Sequence, residues 1–169
     1  MSQSDRIVSD GVVTQGHRVA SGACGDPRFP QGTIALQLPL LRARIADFDS
    51  YLGGPAHAGT VNVRFAGHTV ELLAPEIVVR ELPWTPVFGP ETFFLSYAEA
   101  EVGGRRYPVF LYIPDPAAKP DHPAAPDVVE LLGPTMPGLS YGSPVRLHHS
   151  PAAFRLRPGG LSPQTPRQP

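Results

Sequence analysis

Thr60, Asn62 and Arg64 occupy alternate positions of the run Gly59-Thr60-Val61-Asn62-Val63-Arg64-Phe65. Alternation places their side chains on one face of a β-strand. It leaves Val61, Val63 and Phe65 on the other face, where they need a core. A hydroxyl, an amide oxygen and a guanidinium in a row can meet a metal-bound phosphate. Neutral oxygens suit a hard cation such as Mg²⁺ when phosphates bring the negative charge. The same pattern also fits an ordinary strand with a solvated polar face.

Other residues could add to such a site. The stretch Ser21, Gly22, Ala23, Cys24, Gly25 and Asp26 is a compact loop. Its glycines let backbone amides approach an anion and form a nest. Glu130 sits inside the apolar run Val128-Val129-Glu130-Leu131-Leu132. A carboxylate there either points to solvent on alternate spacing or lines a pocket.

Several other chemistries find little support. Cys24 is the single cysteine, which excludes a disulfide framework within the chain and a cysteine metal cluster. It reads as a small turn residue. The six histidines are His17, His57, His68, His122, His148 and His149, and no two have helical metal-ligand spacing. Gly138-Leu139-Ser140-Tyr141-Gly142 has the spacing of a nucleophile elbow. Pro137 and Pro144 leave it neither the strand before nor the helix after that this motif needs. No glycine loop ends in Gly-Lys-Ser or Gly-Lys-Thr, and no dinucleotide fingerprint is present.

The elements that must position these residues are short. The chain has 169 residues, 22 of them proline and 17 glycine. So many breakers favour short strands joined by turns. Strands are expected around residues 11–20, 33–38, 60–65, 68–73, 77–80, 92–102, 106–113, 127–132 and 143–148. The 68–73 strand should pair with the Thr60 strand through Ala66-Gly67, and Gly103-Gly104 should turn a hairpin. Phe110 and Tyr112 take one face of the 106–113 strand and Val109, Leu111 and Ile113 the other, so that strand reads as buried on both sides. One helix is expected over residues 40–52, where Leu41, Ile45, Phe48 and Leu52 form a single apolar stripe. The fold class is therefore mainly β, with one α-helix and additional short strands around a closed or nearly closed barrel.

The length suits one domain. Residues 1–10 read as a flexible N-terminus, 11–149 as a single barrel domain and 150–169 as a proline-rich disordered tail. A net charge of −1 gives no electrostatic case for nucleic acid or an acidic membrane as partner. No run approaches the roughly 20 apolar residues of a membrane span, and the N-terminus has no signal-peptide pattern. With one cysteine, a reducing, cytoplasmic setting is expected.

Taken in order, five segments resemble the archaeal CTP-dependent riboflavin kinases, from about Gly16 to Leu147; one of them, Thr33 to Pro39 and the helix after it, resembles that family's next strand and helix. Ser21-Gly22 and its glycine loop are similar to that family's Ser-Gly-x-Gly-Glu-Gly phosphate loop. Gly59-Thr60-Val61-Asn62-Val63 is similar to its Gly-Thr-[Leu/Val]-Asn-[Leu/Val] motif. Asp127-Val128-Val129-Glu130-Leu131-Leu132-Gly133-Pro134 resembles Glu-Ile-Ile-Glu-Ile-Ile-Ala-Pro, and Leu139-Ser140-Tyr141-Gly142-Ser143-Pro144-Val145 its closing turn and strand. The resemblance implies a six-stranded cradle-loop-type β-barrel. It implies transfer of the γ-phosphoryl group of CTP to the 5′-hydroxyl of riboflavin, giving FMN and CDP. It also implies Mg²⁺ on Thr60 and Asn62, nucleotide contacts from residues 21–26, and Glu130 at the flavin or the accepting alcohol. Within that reading Glu130 is the catalytic group that orients the acceptor hydroxyl or takes its proton, and His122 is a further substrate contact.

Two differences motivate an alternative. The loop Gly22-Ala23-Cys24-Gly25-Asp26 carries one glycine fewer than the family's. Thr135-Met136-Pro137-Gly138 stands where the family has a Lys-Leu-Arg-Glu stretch that contacts the nucleotide. The alternative is a non-catalytic nucleotide- or flavin-binding barrel, or a protein-interaction module.

Overall fold

The structure, a computed structural model, describes residues 6–115 and 125–159. It is mainly β. Strands β1 (Ile7–Thr14), β2 (Val61–Arg64), β5 (Glu91–Val102), β6 (Arg105–Pro114), β7 (Val128–Leu132) and β8 (Pro144–His149) form a ring in the order β5-β6-β7-β2-β1-β8, closed by β5–β8 pairing. All these pairings are antiparallel. Strand β4 (Ile77–Leu82) extends the sheet from β5, and β3 (His68–Leu72) pairs with β9 (Phe154–Pro158) in a separate ribbon.

Side-chain alternation sorts the ring into two cores. Inside it, Val13, Val63, Ala98, Ala100, Val109, Leu111, Val129, Leu131, Val145 and Leu147 pack together with Phe65 and Phe154. Outside it, Phe93, Leu95, Phe110, Tyr112 and Leu132 meet the helices α1 (Thr33–Arg44) and α2 (Phe48–Leu52). Strand β6 is accordingly buried on both faces, as its sequence predicts. The β5–β6 hairpin turns at Gly103 and Gly104, both at positive φ.

The helical region departs from expectation. Residues 33–38 alternate like a strand, yet they begin α1. Leu36 is 43% exposed, while Ile34, Leu38, Leu41 and Ile45 are buried at spacings of four, three and four. The helical period therefore wins over the period of two. Pro39 lies inside α1 at a cost of about 3 kcal/mol. Four buried aliphatic side chains at about 1.5–3 kcal/mol each outweigh that cost. The helix expected over 40–52 is broken where Ile45 turns extended. Its second half is α2, which ends at Gly53 in the left-handed region. There are thus two helices where the sequence predicts one.

Three further expectations change. Strand β3 pairs with β9 and not with β2. Residues 7–10, read as a flexible N-terminus, belong to β1 and pair with β8. Residues 154–158, read as tail, form β9, whose Phe154 is fully buried. Burial supplies the reason for the last two. Ser9 and Phe154 close the interior of the ring, which a compositional reading of their polar, proline-rich neighbours does not reveal. The first five residues and the last ten lie outside the described residues.

Candidate functional site

Strand β2 lies between β1 and β7, with Thr14 opposite Asn62 on one side and Glu130 opposite Asn62 on the other. Directly opposed residues of an antiparallel pair share a face. Because Val61 and Val63 point into the ring, Thr60, Asn62 and Glu130 share its outer face. Thr60 Oγ1 donates a 2.8 Å hydrogen bond to Glu130 Oε2. Thr60 and Asn62, taken from one strand in the sequence, and Glu130, taken from another, are therefore brought together. Of the two sequence readings of Glu130, the structure gives a half-buried carboxylate in this cluster.

Gly16 makes room for Asn62. A Cβ there would lie 2.5 Å from Asn62 Nδ2 and 2.8 Å from its Oδ1. Arg64, the third polar residue of the face, forms an ion pair with Asp127 at 3.2 Å and holds the end of β2. Behind Glu130 lies a buried polar pair, in which Tyr112 donates a 2.6 Å hydrogen bond to Gln37 Oε1. Burial raises the Tyr112 phenol well above its ordinary pKa, and the negative charges of Glu130 and Glu91 push it further. Tyr112 is thus a permanent donor toward the helix α1 side of the site.

The loop of residues 21–26 reaches the same edge. A Cβ on Gly59 would stand 3.2 Å from Ser21 Cβ. Gly22 and Gly32 both have positive φ, and a Cβ on Gly22 would lie 2.6 Å from the Gly32 nitrogen. Only glycine permits that backbone approach. The loop differs from an open nest. The amides of Gly22, Cys24 and Gly25 donate to the carbonyls of Val19, Arg18 and Gly22. The first amides of α1, Thr33 and Ile34, donate to Val19 and Ala20. Asp26 accepts from the backbone and guanidinium of Arg28, which holds its carboxyl below the usual range. Cys24 is exposed and free, and Ala23 is exposed beside it. Ser21 is the member of the loop whose side chain stands nearest the strand. His122, together with Lys119 and Asp121, lies outside the described residues.

A cavity of about 180 Å³ opens where β2 begins and β7 ends. Its lining includes His57, Val61, Leu131, Thr135, Met136 and Leu139. Val61 and Leu131 face into the ring, so this cavity is on the opposite side of the β2–β7 pair from Asn62 and Glu130. The two sides meet at Gly59 and Thr60. At that point His57 donates its backbone N–H to Gly133 O at 2.8 Å, and Ala56 bridges to Pro134. His57 belongs to no sequence motif, since no second histidine stands at metal-ligand spacing from it. Its position two residues before Gly59 was the usable signal.

The donor set fits a hard divalent cation in one way. Thr60, Asn62 and Glu130 offer a hydroxyl, an amide and one carboxylate. Among the described residues no cluster of three or more His, Cys, Asp or Glu could hold a metal ion. A cation here would therefore draw most of its negative partners from a ligand, as Mg²⁺ does with phosphates. Among the described residues no helix is long and apolar enough to cross a membrane. No protein-family model matches the chain, and no curated protein is significantly similar to it.

Proposed function

We propose that this protein is a Mg²⁺-dependent phosphotransferase acting in the cytoplasm. The donor is a nucleoside triphosphate, CTP by resemblance, and the acceptor is riboflavin or another small alcohol. The six-stranded ring is read as a cradle-loop-type barrel. The observation that carries this reading is the Thr60–Glu130 hydrogen bond beside Asn62. It groups two neutral oxygens with one carboxylate, and phosphoryl transfer asks mainly for positioning and charge neutralisation.

The proton arrangement supports the assignment. Thr60 spends its hydroxyl proton on Glu130, so its oxygen lone pairs would be the part it offers a cation. Asn62 offers its amide oxygen from the next position on the same face. Mg²⁺ held by Thr60 and Asn62 would neutralise phosphate charge. Glu130 would accept the proton of the incoming alcohol as its oxygen bonds to the γ-phosphorus and the nucleoside diphosphate leaves. The 180 Å³ cavity falls below the usual range of about 300–1,000 Å³ for whole small-molecule sites. It lies on the inner side of the β2–β7 pair, away from Asn62 and Glu130, and is too small for an entire flavin or nucleotide.

A second reading is a barrel that binds a nucleotide or flavin without transferring phosphate. The inward-turned amides of Gly22, Cys24 and Gly25 favour it. The two readings separate in one experiment. The protein is mixed with riboflavin, Mg²⁺ and each nucleoside triphosphate in turn, and FMN is measured. FMN formation supports transfer. Thermal stabilisation by a nucleotide without FMN supports the binding barrel.

A further inference from the structure

We propose that His57 is a ligand-positioning residue that holds the polyphosphate of the substrate against the Ser21–Gly59 edge through its imidazole N–H. The inference rests on the phosphotransferase reading and adds to it a residue that the resemblance does not supply.

The geometry fixes where His57 stands. Its backbone is pinned to Gly133 by a 2.8 Å hydrogen bond, so it cannot drift from the end of β7. Its ring reaches back over Gly59, with Nε2 3.3 Å from the position a Cβ would take there. Ser21 Cβ lies 3.2 Å from the same position on the loop side. Two polar side chains from different segments thus flank a residue that has no side chain of its own. Thr60, with its bond to Glu130, is the next residue along. The imidazole is exposed, and among the described residues no hydrogen bond or ion pair engages it. His57 also lines the cavity with Val61, Leu131 and Met136.

This placement answers a deficit in the site. The amides that a phosphate nest would use are turned into the loop, and the Asp26 carboxylate is paired with Arg28. Gly59 is buried, and the side chains over it are Ser21 and His57. These are the groups that a ligand phosphate approaching Thr60 from that edge would meet. An imidazole N–H to a phosphate oxygen is a charge-assisted hydrogen bond of the stronger kind.

The test is calorimetric titration of the full chain with Mg²⁺-CTP, Mg²⁺-ATP and inorganic tripolyphosphate. The variants are His57→Phe, His57→Gln and Asn62→Ala. Phe keeps a ring and removes the donors, while Gln keeps an N–H donor, and every variant keeps the backbone bond to Gly133. The expected result is about tenfold weaker binding in His57→Phe, the loss of one such bond. His57→Gln should stay within about threefold of the wild type, a loss under about 1 kcal/mol, with melting temperatures unchanged. Equal weakening in both His57 variants overturns the proposal, because it assigns the effect to packing in the cavity. Wild-type binding in His57→Phe, with loss in Asn62→Ala, overturns the His57 role and leaves the phosphotransferase reading standing. No binding of any of the three probes by the wild-type chain overturns both.

Discussion

Thr60 and Glu130 are 70 residues apart in the chain and 2.8 Å apart in space, hydroxyl to carboxylate. The bond crosses from the start of β2 to the middle of β7 and is half-buried. It makes Thr60 a residue whose oxygen matters more than its shape. Thr60→Val keeps the β-branched form and removes the oxygen. A hydrogen bond to a charged group is worth about 1.5–3 kcal/mol, so turnover of riboflavin with Mg²⁺-CTP should fall about 10–100-fold. Thr60→Ser should retain most activity. Equal rates for the Val and Ser variants would remove Thr60 from the site.

Asn62 can be disturbed without being mutated. In Gly16→Ala the new methyl group would sit 2.5–2.8 Å from the Asn62 amide. The amide is the end of a flexible side chain, so it moves aside and the backbone stays. The expected outcome is loss of nucleotide-dependent thermal stabilisation comparable to that in Asn62→Ala. The unliganded melting temperature should change by only a few degrees, as for about 1 kcal/mol or less. Undiminished nucleotide stabilisation in Gly16→Ala would contradict the placement of Asn62 in the site.

The parts of this arrangement that were legible in the sequence rest on strict local periods. The alternation at residues 60–65 fixes which side chains share a face, and the resulting faces are those observed, while the 127–132 strand is found as expected. The hairpin at Gly103-Gly104 is a local turn rule and holds as well. What was not legible depends on distant partners. Residues 33–38 satisfy both a period of two and a helical period. Contact with the outer face of β5 and β6 decides between them through Ile34, Leu38 and Leu41. Strand β3 has a turn that suits pairing with β2, but β7 and β1 already occupy both edges of β2. The residue 21–26 loop also packs its backbone against Gly32, eleven residues beyond Ser21.

Phe154 tests the reassignment of the apparent tail. It is fully buried, stacks on His149 with ring centroids 3.8 Å apart, and meets Phe65 at 5.9 Å. Phe154→Ala should cost about 3–5 kcal/mol, the usual range for a buried aromatic truncated to a cavity. Urea denaturation followed by circular dichroism measures it. A cost below about 1 kcal/mol would show that β9 adds little to the interior of the ring.

His149 gives the fold a dependence on acid. It is fully buried, its Nδ1–H donates to Ser150 O at 3.0 Å, and its Nε2 accepts from the Ser9 hydroxyl at 2.9 Å. With the proton on Nδ1, the neutral ring satisfies both partners. Burial holds its pKa below the ordinary 6.5, and neighbouring His148 lowers it further against the opposing effect of the Ser150 carbonyl. Above pH 6.5 folded and unfolded chains are both neutral at this residue, so its contribution is fully present. As pH falls below 6.5 the unfolded chain binds a proton that the folded chain resists, and stability is lost until the folded pKa is passed. Glu101 acts in the same direction at lower pH. Its hydrogen bond from His148 lowers its pKa, so its contribution fades only at lower pH, within the carboxylate range. In urea midpoints measured between pH 8 and 5, the wild type should lose more stability than His149→Phe, which keeps an aromatic ring against Phe154. Ser9→Ala should lower stability by about 1–3 kcal/mol at pH 8, because a buried acceptor is left unpaired. Identical pH slopes in the wild type and His149→Phe would show that the buried imidazole titrates like an exposed one.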